Sequence, residues 1–207
     1  MALALWREKT QQLALSAAII PVTTMITLIM PQTKSFAQAV VFNGALLILA
    51  LIYRFAFTIE YPAAITRLKV VGYATLLPLM LVIGLLLGLI GYALLHHHTS
   101  FSNLSLPGVA VVFVLFAIAE EVYFRGLIQQ QASLIIDPRM AAALSAILYT
   151  IFTFSQRGDY LSPLFGLIAG VVISITYYEK QNLVLTFTVN ATSKLLYLGL
   201  LATFVFR

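Results

Sequence analysis

The chain has 207 residues, 61% of them hydrophobic and only 9% charged, with a formal net charge of +5. A soluble domain of this size needs about 25% charged residues to cover its surface, so the composition excludes that class and indicates an integral membrane protein. The absence of cysteine excludes a disulfide framework and a thiolate metal site, and Lys and Arg scattered between apolar runs argue for membrane loops and against nucleic-acid binding.

A transmembrane helix needs roughly 20 apolar residues, and on that measure the chain reads as about seven spans, or eight counting a re-entrant or interfacial helix. In chain order they lie near 13–30, 38–57, 72–95, 107–131, 140–155, 161–178 and 183–206. Residues 1–12, with Trp6, Arg7 and Lys9, read as an amphipathic segment at the membrane surface. Breakers fall between the spans: Pro31, Glu60-Tyr61-Pro62, the polar stretch His96–Asn103, Asp137-Pro138, Arg157-Gly158-Asp159 and Glu179–Asn182. The fold class is therefore all-α, a polytopic transmembrane helical bundle forming a single membrane domain over residues 1–207. The N-terminal segment and alternate loops hold Arg7, Lys9, Arg54, Arg67, Lys69, Arg139 and Lys180, which predicts a cytoplasmic N-terminus and an outer C-terminus.

Against this apolar background, Glu120-Glu121-Val122-Tyr123-Phe124-Arg125 puts two carboxylates and a guanidinium inside the fourth span. Ionisable groups at such depth cost about 2.5–3.5 kcal/mol each on insertion scales and mark function by default. On an α-helix Glu121 and Arg125 lie within about 40° of each other and can pair, whereas Glu120 faces about 140° from Arg125 and needs partners on other helices. Glu121 is thus the structural ion and Glu120 the one free to act. A buried ion cluster that only fixes helix packing is the competing reading.

The pattern Glu-Glu-x-x-x-Arg followed by Gly126 resembles the first motif of the CPBP intramembrane proteases. That family comprises the CAAX prenyl proteases and the bacteriocin-processing and immunity (Abi) proteins. The resemblance covers roughly residues 107–197 and implies that Glu120 activates water while Arg125 is structural. It further implies a Phe-x-x-x-His motif on the next helix and a His-x-x-x-Asn motif on a later one, whose imidazoles and amide surround that water. Here the second motif reads Tyr149-Thr150-Ile151-Phe152-Thr153, with Thr153 in place of His. The third reads Asn190-Ala191-Thr192-Ser193-Lys194, with Asn190 for His and Lys194 for Asn. The small-residue run Phe165–Gly170 resembles the family's helix before that motif.

Neither Thr nor Asn serves as a base near pH 7 or as a good transition-metal ligand. Lys194 brings the formal charge of the cluster with Glu120, Glu121 and Arg125 to zero, and it is expected to pair with Glu120; snorkelling to an interface is the alternative. His96, His97 and His98 are consecutive in a loop and do not resemble a metal triad. No phosphate loop, dinucleotide fingerprint or haem-ligand pair is present, so neither cofactor nor metal is expected. Gly84, Gly88 and Gly91 permit close helix approach, either inside the bundle or toward a partner, and Gly166 and Gly170 read the same way. Tyr160, Tyr177 and Tyr178 read as interface anchors. The amides of Asn43 and Asn190 are expected to bond helix backbones or residues near each other.

The preferred function is non-enzymatic: a pseudoprotease of a bacterial-type cytoplasmic membrane, acting as scaffold, chaperone or regulatory subunit. Its partners would be the lipid bilayer and another integral membrane protein or a transmembrane or peptide segment, held where the family holds substrate. The alternative is an active glutamate-dependent endopeptidase using Glu120 with Thr153 and Asn190. A small transporter subunit is the third reading, opposed by the cation set against each glutamate.

Overall fold

The computed structural model describes residues 18, 36–56, 70–95, 106–157 and 160–205, and every regular element among them is helical. They form α1 (Phe36–Ala56), α2 (Val70–Leu95), α3 (Leu106–Glu120), α4 (Pro138–Arg157), α5 (Ser162–Lys180) and α6 (Leu183–Val205). The helix of α3 does not stop at Glu120. It continues as a π-helical segment, Glu121–Gln129, and closes with an α turn, Gln130–Ala132. The change in winding therefore falls between the two carboxylates.

Among the described residues, four helical stretches are long and apolar enough to cross a membrane: Leu76–Leu95, Pro107–Ala132, Ser162–Lys180 and Leu183–Ala202. The predicted span at 38–57 coincides with α1, whose apolar stretch Ala39–Ile52 is shorter. The one at 140–155 coincides with α4, which carries Arg139, Thr150, Thr153 and Gln156 and is not among the four. The segments predicted at 1–12 and 13–30, and the histidine loop, lie outside the described residues apart from Ala18. Large apolar side chains point outward along the helices, among them Val41, Ile48, Val82, Leu86, Val111 and Ile147. Such a surface is stable only against hydrocarbon, and the protein is an integral membrane protein in contact with the bilayer.

Local chemistry explains the helix ends that flank the core. Asp137 Oδ1 accepts from the Arg139 backbone N–H at 2.8 Å, and Pro138 follows it where no N–H is needed, so α4 starts there. At the other junction Gln181 adopts φ 49°, in the left-handed region, and its N–H returns to Tyr177 O at 2.7 Å to close α5. Asn182 Oδ1 then accepts from the N–H groups of Val184 and Leu185 at 2.9 and 3.2 Å and opens α6. Two residues thus reverse the chain and fix α6 against α5.

Close helix approaches are made over glycine. A Cβ on Gly84 would lie 2.7 Å from Val189 O, and one on Gly88 would lie 2.8 Å from Ser193 O, so α2 packs directly on α6. On Gly170 it would lie 2.9 Å from Ala146 O, which seats α5 on α4. Gly91 and Gly166 likewise face Phe165 and Thr153. These glycines therefore serve contacts within the chain. The aromatic core sits where α1, α4 and the π-helical segment meet: Phe42 stacks on Phe152 at 5.2 Å, and Phe124 meets Tyr149 edge-on at 5.4 Å.

Tyr177 departs from its expected place at an interface, being only 1% exposed. It shares one face of α5 with Gly170, Ile173 and Ser174, and that face is turned into the bundle. Tyr160, by contrast, is 80% exposed, and Tyr178 accepts from Arg139 Nε at 3.5 Å at an exposed end of the bundle.

Candidate functional site

Glu120 and Glu121 are each 1% exposed, at the junction of α3 with the π-helical segment. Helical rotation sends their side chains to different neighbours. Glu121 meets Arg125 one turn on, with Oε1 3.6 Å from Nη1. Arg125 is fully buried; its Nη2 donates to Gly170 O at 3.3 Å, and its guanidinium lies 4.7 Å from the Tyr149 ring centroid. It thereby ties the π-helical segment to both α4 and α5.

Glu120 takes its donors from other helices. Lys194 Nζ of α6 donates to its Oε1 at 2.8 Å, with the lysine side chain still 23% exposed. The Tyr149 hydroxyl of α4 and Asn190 Nδ2 of α6 both donate to Oε2 at 3.1 Å. Asn190 Nδ2 also donates to Glu121 Oε1 at 2.8 Å, so one amide bridges the two carboxylates. Only the NH₂ end of an amide can serve two ionised acceptors at once. Asn190 and Lys194 stand four residues apart and so share a face of α6, which delivers both donors together. The expectation that Asn190 would bond a helix backbone is corrected: it bonds carboxylates. Asn43 does bond its own helix, donating to Ala39 O at 3.0 Å.

Thr153 stands apart from the carboxylates' donors. Its hydroxyl donates to Tyr149 O, one turn back on α4, at 2.9 Å, and leaves Glu120 to Tyr149. Sequence reading assigned no role to Tyr149. Its signal was the departure from Phe at the head of the second motif, since the hydroxyl that Phe lacks is the part of this side chain that bonds Glu120.

The chemistry open to this arrangement is limited by what already occupies it. Glu120 receives three donors, so a water presented to either oxygen would compete with an ammonium, a phenol or an amide. Among the described residues there is no imidazole beside the pair, and a general base must hold an acceptor toward the proton it takes. The donor set does not fit a transition metal either. The Lys194 ammonium holds one face of Glu120, Asn190 turns its N–H groups inward, and among the described residues no nitrogen or sulfur ligand completes a coordination sphere. Among the described residues no group of three or more His, Cys, Asp or Glu side chains converges. Two carboxylates against a guanidinium and an ammonium balance in formal charge, which is the condition for such a cluster to remain inside an apolar bundle.

Residues 101–196 match the family described as Rce1-like, the type II CAAX prenyl endopeptidases. The match spans the π-helical segment, α4, α5 and the part of α6 that carries Asn190 and Lys194. No curated protein and no solved structure matches the chain. The resemblance drawn from the Glu-Glu-x-x-x-Arg motif and the match over 101–196 agree on one family for this segment, the CPBP/CAAX proteases.

Proposed function

Starting from a CAAX protease-family segment at residues 101–196, we propose that the protein is a membrane-embedded pseudoprotease that binds another membrane protein as scaffold, chaperone or regulatory subunit. The observation that carries this reading is the engagement of Glu120 by Lys194, Tyr149 and Asn190. In the family the corresponding Glu faces a water among imidazoles; here the same carboxylate faces an ammonium, a phenol and an amide. Removing one member of a cooperating catalytic set costs orders of magnitude in rate, and in this chain both His positions and the Asn position of the motifs have changed, to Thr153, Asn190 and Lys194. The retained helices would still present a surface suited to a transmembrane or peptide segment. The distribution of Lys and Arg supports a cytoplasmic N-terminus.

The test is a parallel purification of wild type and Glu120→Gln in mild detergent, with bound proteins identified by mass spectrometry. One membrane protein held at similar stoichiometry by both forms is the expected result. A protein recovered intact only with the variant, and clipped in wild-type cells, would establish an active endopeptidase instead. Purified wild type in liposomes should also leave a prenylated CAAX-type peptide uncut.

A further inference from the structure

Beyond the carboxylate cluster, the π-helical segment presents a second set of buried polar atoms to α5. Arg125 and Gln129 stand four residues apart on the segment, and each reaches a carbonyl of α5, Gly170 O and Ser174 O, also four residues apart. The distances are 3.3 Å for Arg125 Nη2 and 3.0 Å for Gln129 Nε2. Two side chains thus rest on successive turns of one neighbouring helix.

This docking leaves polar atoms over: Arg125 Nε and Nη1, the latter 3.6 Å from Glu121 Oε1, and one atom each on Gln129 and Ser174. Gln129 Oε1 and Ser174 Oγ have no hydrogen-bond partner among the described residues, although the two residues are only 3% and 1% exposed. Ser174 is an exception to a local rule. The hydroxyls of Thr150, Thr153, Ser155, Thr176 and Thr188 each donate to the carbonyl four residues back, at 2.8–2.9 Å. For Ser174 that carbonyl is Gly170 O, which already accepts from Arg125 beside the N–H of its own helix. A carbonyl oxygen has two lone pairs, so the usual refuge of the hydroxyl is taken. Gln129 Oε1 lacks a donor: the amide's nitrogen end faces Ser174 O, and no described group donates to its oxygen end. Buried polar atoms in native interiors are almost always satisfied, and where protein groups do not serve, ordered water does.

We infer that Gln129 and Ser174 hold a structural water between the π-helical segment and α5. The water donates to Gln129 Oε1 and exchanges a hydrogen bond with Ser174 Oγ, completing the polar seam that Arg125 begins. The site is independent of whether Glu120 is catalytic. Its ligand is water, and its role is to satisfy Gln129 Oε1 and Ser174 Oγ where the π-helical segment that carries Glu121 and Arg125 meets α5.

The test uses the full chain in detergent. Ser174→Ala removes one oxygen from a close-packed position without adding volume, and Gln129→Met preserves the shape of the side chain. With a bridging water, Ser174→Ala lowers the unfolding midpoint by roughly 2–4 °C, and the double variant loses less than the sum of the two singles. A midpoint that is unchanged or raised in Ser174→Ala overturns the inference, because deleting a dry, unpartnered hydroxyl relieves the bundle. An experimental structure resolving ordered solvent gives the direct reading. A solvent peak within about 2.6–3.2 Å of both oxygens is expected, and its absence overturns the site.

Discussion

The Tyr149 hydroxyl donates to Glu120 Oε2 at 3.1 Å, and that oxygen is all that distinguishes the side chain from the phenylalanine of the family motif. The same ring lies 4.7 Å from the Arg125 guanidinium. One residue therefore contacts both signs of the buried cluster: its face meets the cation, and its edge donates to the carboxylate that the cation leaves unpaired. Position 149 has become part of the polar site while keeping its place in the aromatic core.

Tyr149→Phe should keep the packing and lose only this hydrogen bond. A bond to a charged buried group contributes about 1.5–3 kcal/mol, so thermal unfolding in detergent should show a clear destabilisation. Tyr149→Leu should cost more, since it also removes the ring beneath Arg125 and the edge contact with Phe124. Equal midpoints for wild type and Tyr149→Phe would rule out the hydroxyl as a partner of Glu120.

Lys194 and Glu120 should be energetically coupled. Removing one partner of a buried pair leaves the other charge uncompensated and costs about 3–5 kcal/mol, although the partial exposure of Lys194 places it at the low end. A double-mutant cycle with Glu120→Gln and Lys194→Met should give a coupling of about 0.5–3 kcal/mol, with the double variant more stable than additivity predicts. Strict additivity would mean that the ammonium does not pair with this carboxylate.

The glycines of α2 should respond differently from that of α1. A methyl group at Gly84 would press against Val189 O, so Gly84→Ala should destabilise by about 1–3 kcal/mol and disturb the seat of Asn190 beside it. Nothing lies within 4 Å of a Cβ on Gly44, where alanine should be neutral or stabilise by up to about 1 kcal/mol through helix propensity. Similar losses at both positions would argue against a direct α2–α6 contact.

The turn between α5 and α6 offers a gain and a loss at neighbouring positions. Gln181 holds φ 49° with a side chain that disfavours it, so Gln181→Gly should stabilise by about 1 kcal/mol despite losing an exposed bond to Tyr178 O. Asn182→Ala removes the cap of α6 and should cost about 0.5–2 kcal/mol. Opposite shifts in the unfolding midpoint are the signature; two losses would be inconsistent with strain at Gln181.

By itself the sequence determined the membrane character, the positions of the helices and the conflict between a retained Glu-Glu-x-x-x-Arg motif and altered second and third motifs. These are properties of local composition and spacing. Apolar runs of spanning length, Asp137-Pro138 and Gln181-Asn182 at chain reversals, and the one-turn spacing of Glu121 and Arg125 need no knowledge of neighbouring helices. Only the tertiary structure decided what surrounds Glu120. Its partners stand 29, 70 and 74 residues away, and their meeting depends on how each helix is rotated and how closely it approaches. That approach is governed by backbone contact over Gly84, Gly88 and Gly170, and rotation beyond Glu120 by a switch to π-helical winding. Neither has a period that a single chain displays. Thr153 illustrates the difference: its place in the motif was plain from spacing, yet its hydroxyl turns to its own helix and donates to Tyr149 O. Tyr177 shows the same in reverse, since an aromatic near a span end anchors an interface only if its helix turns that face outward, and α5 turns it in.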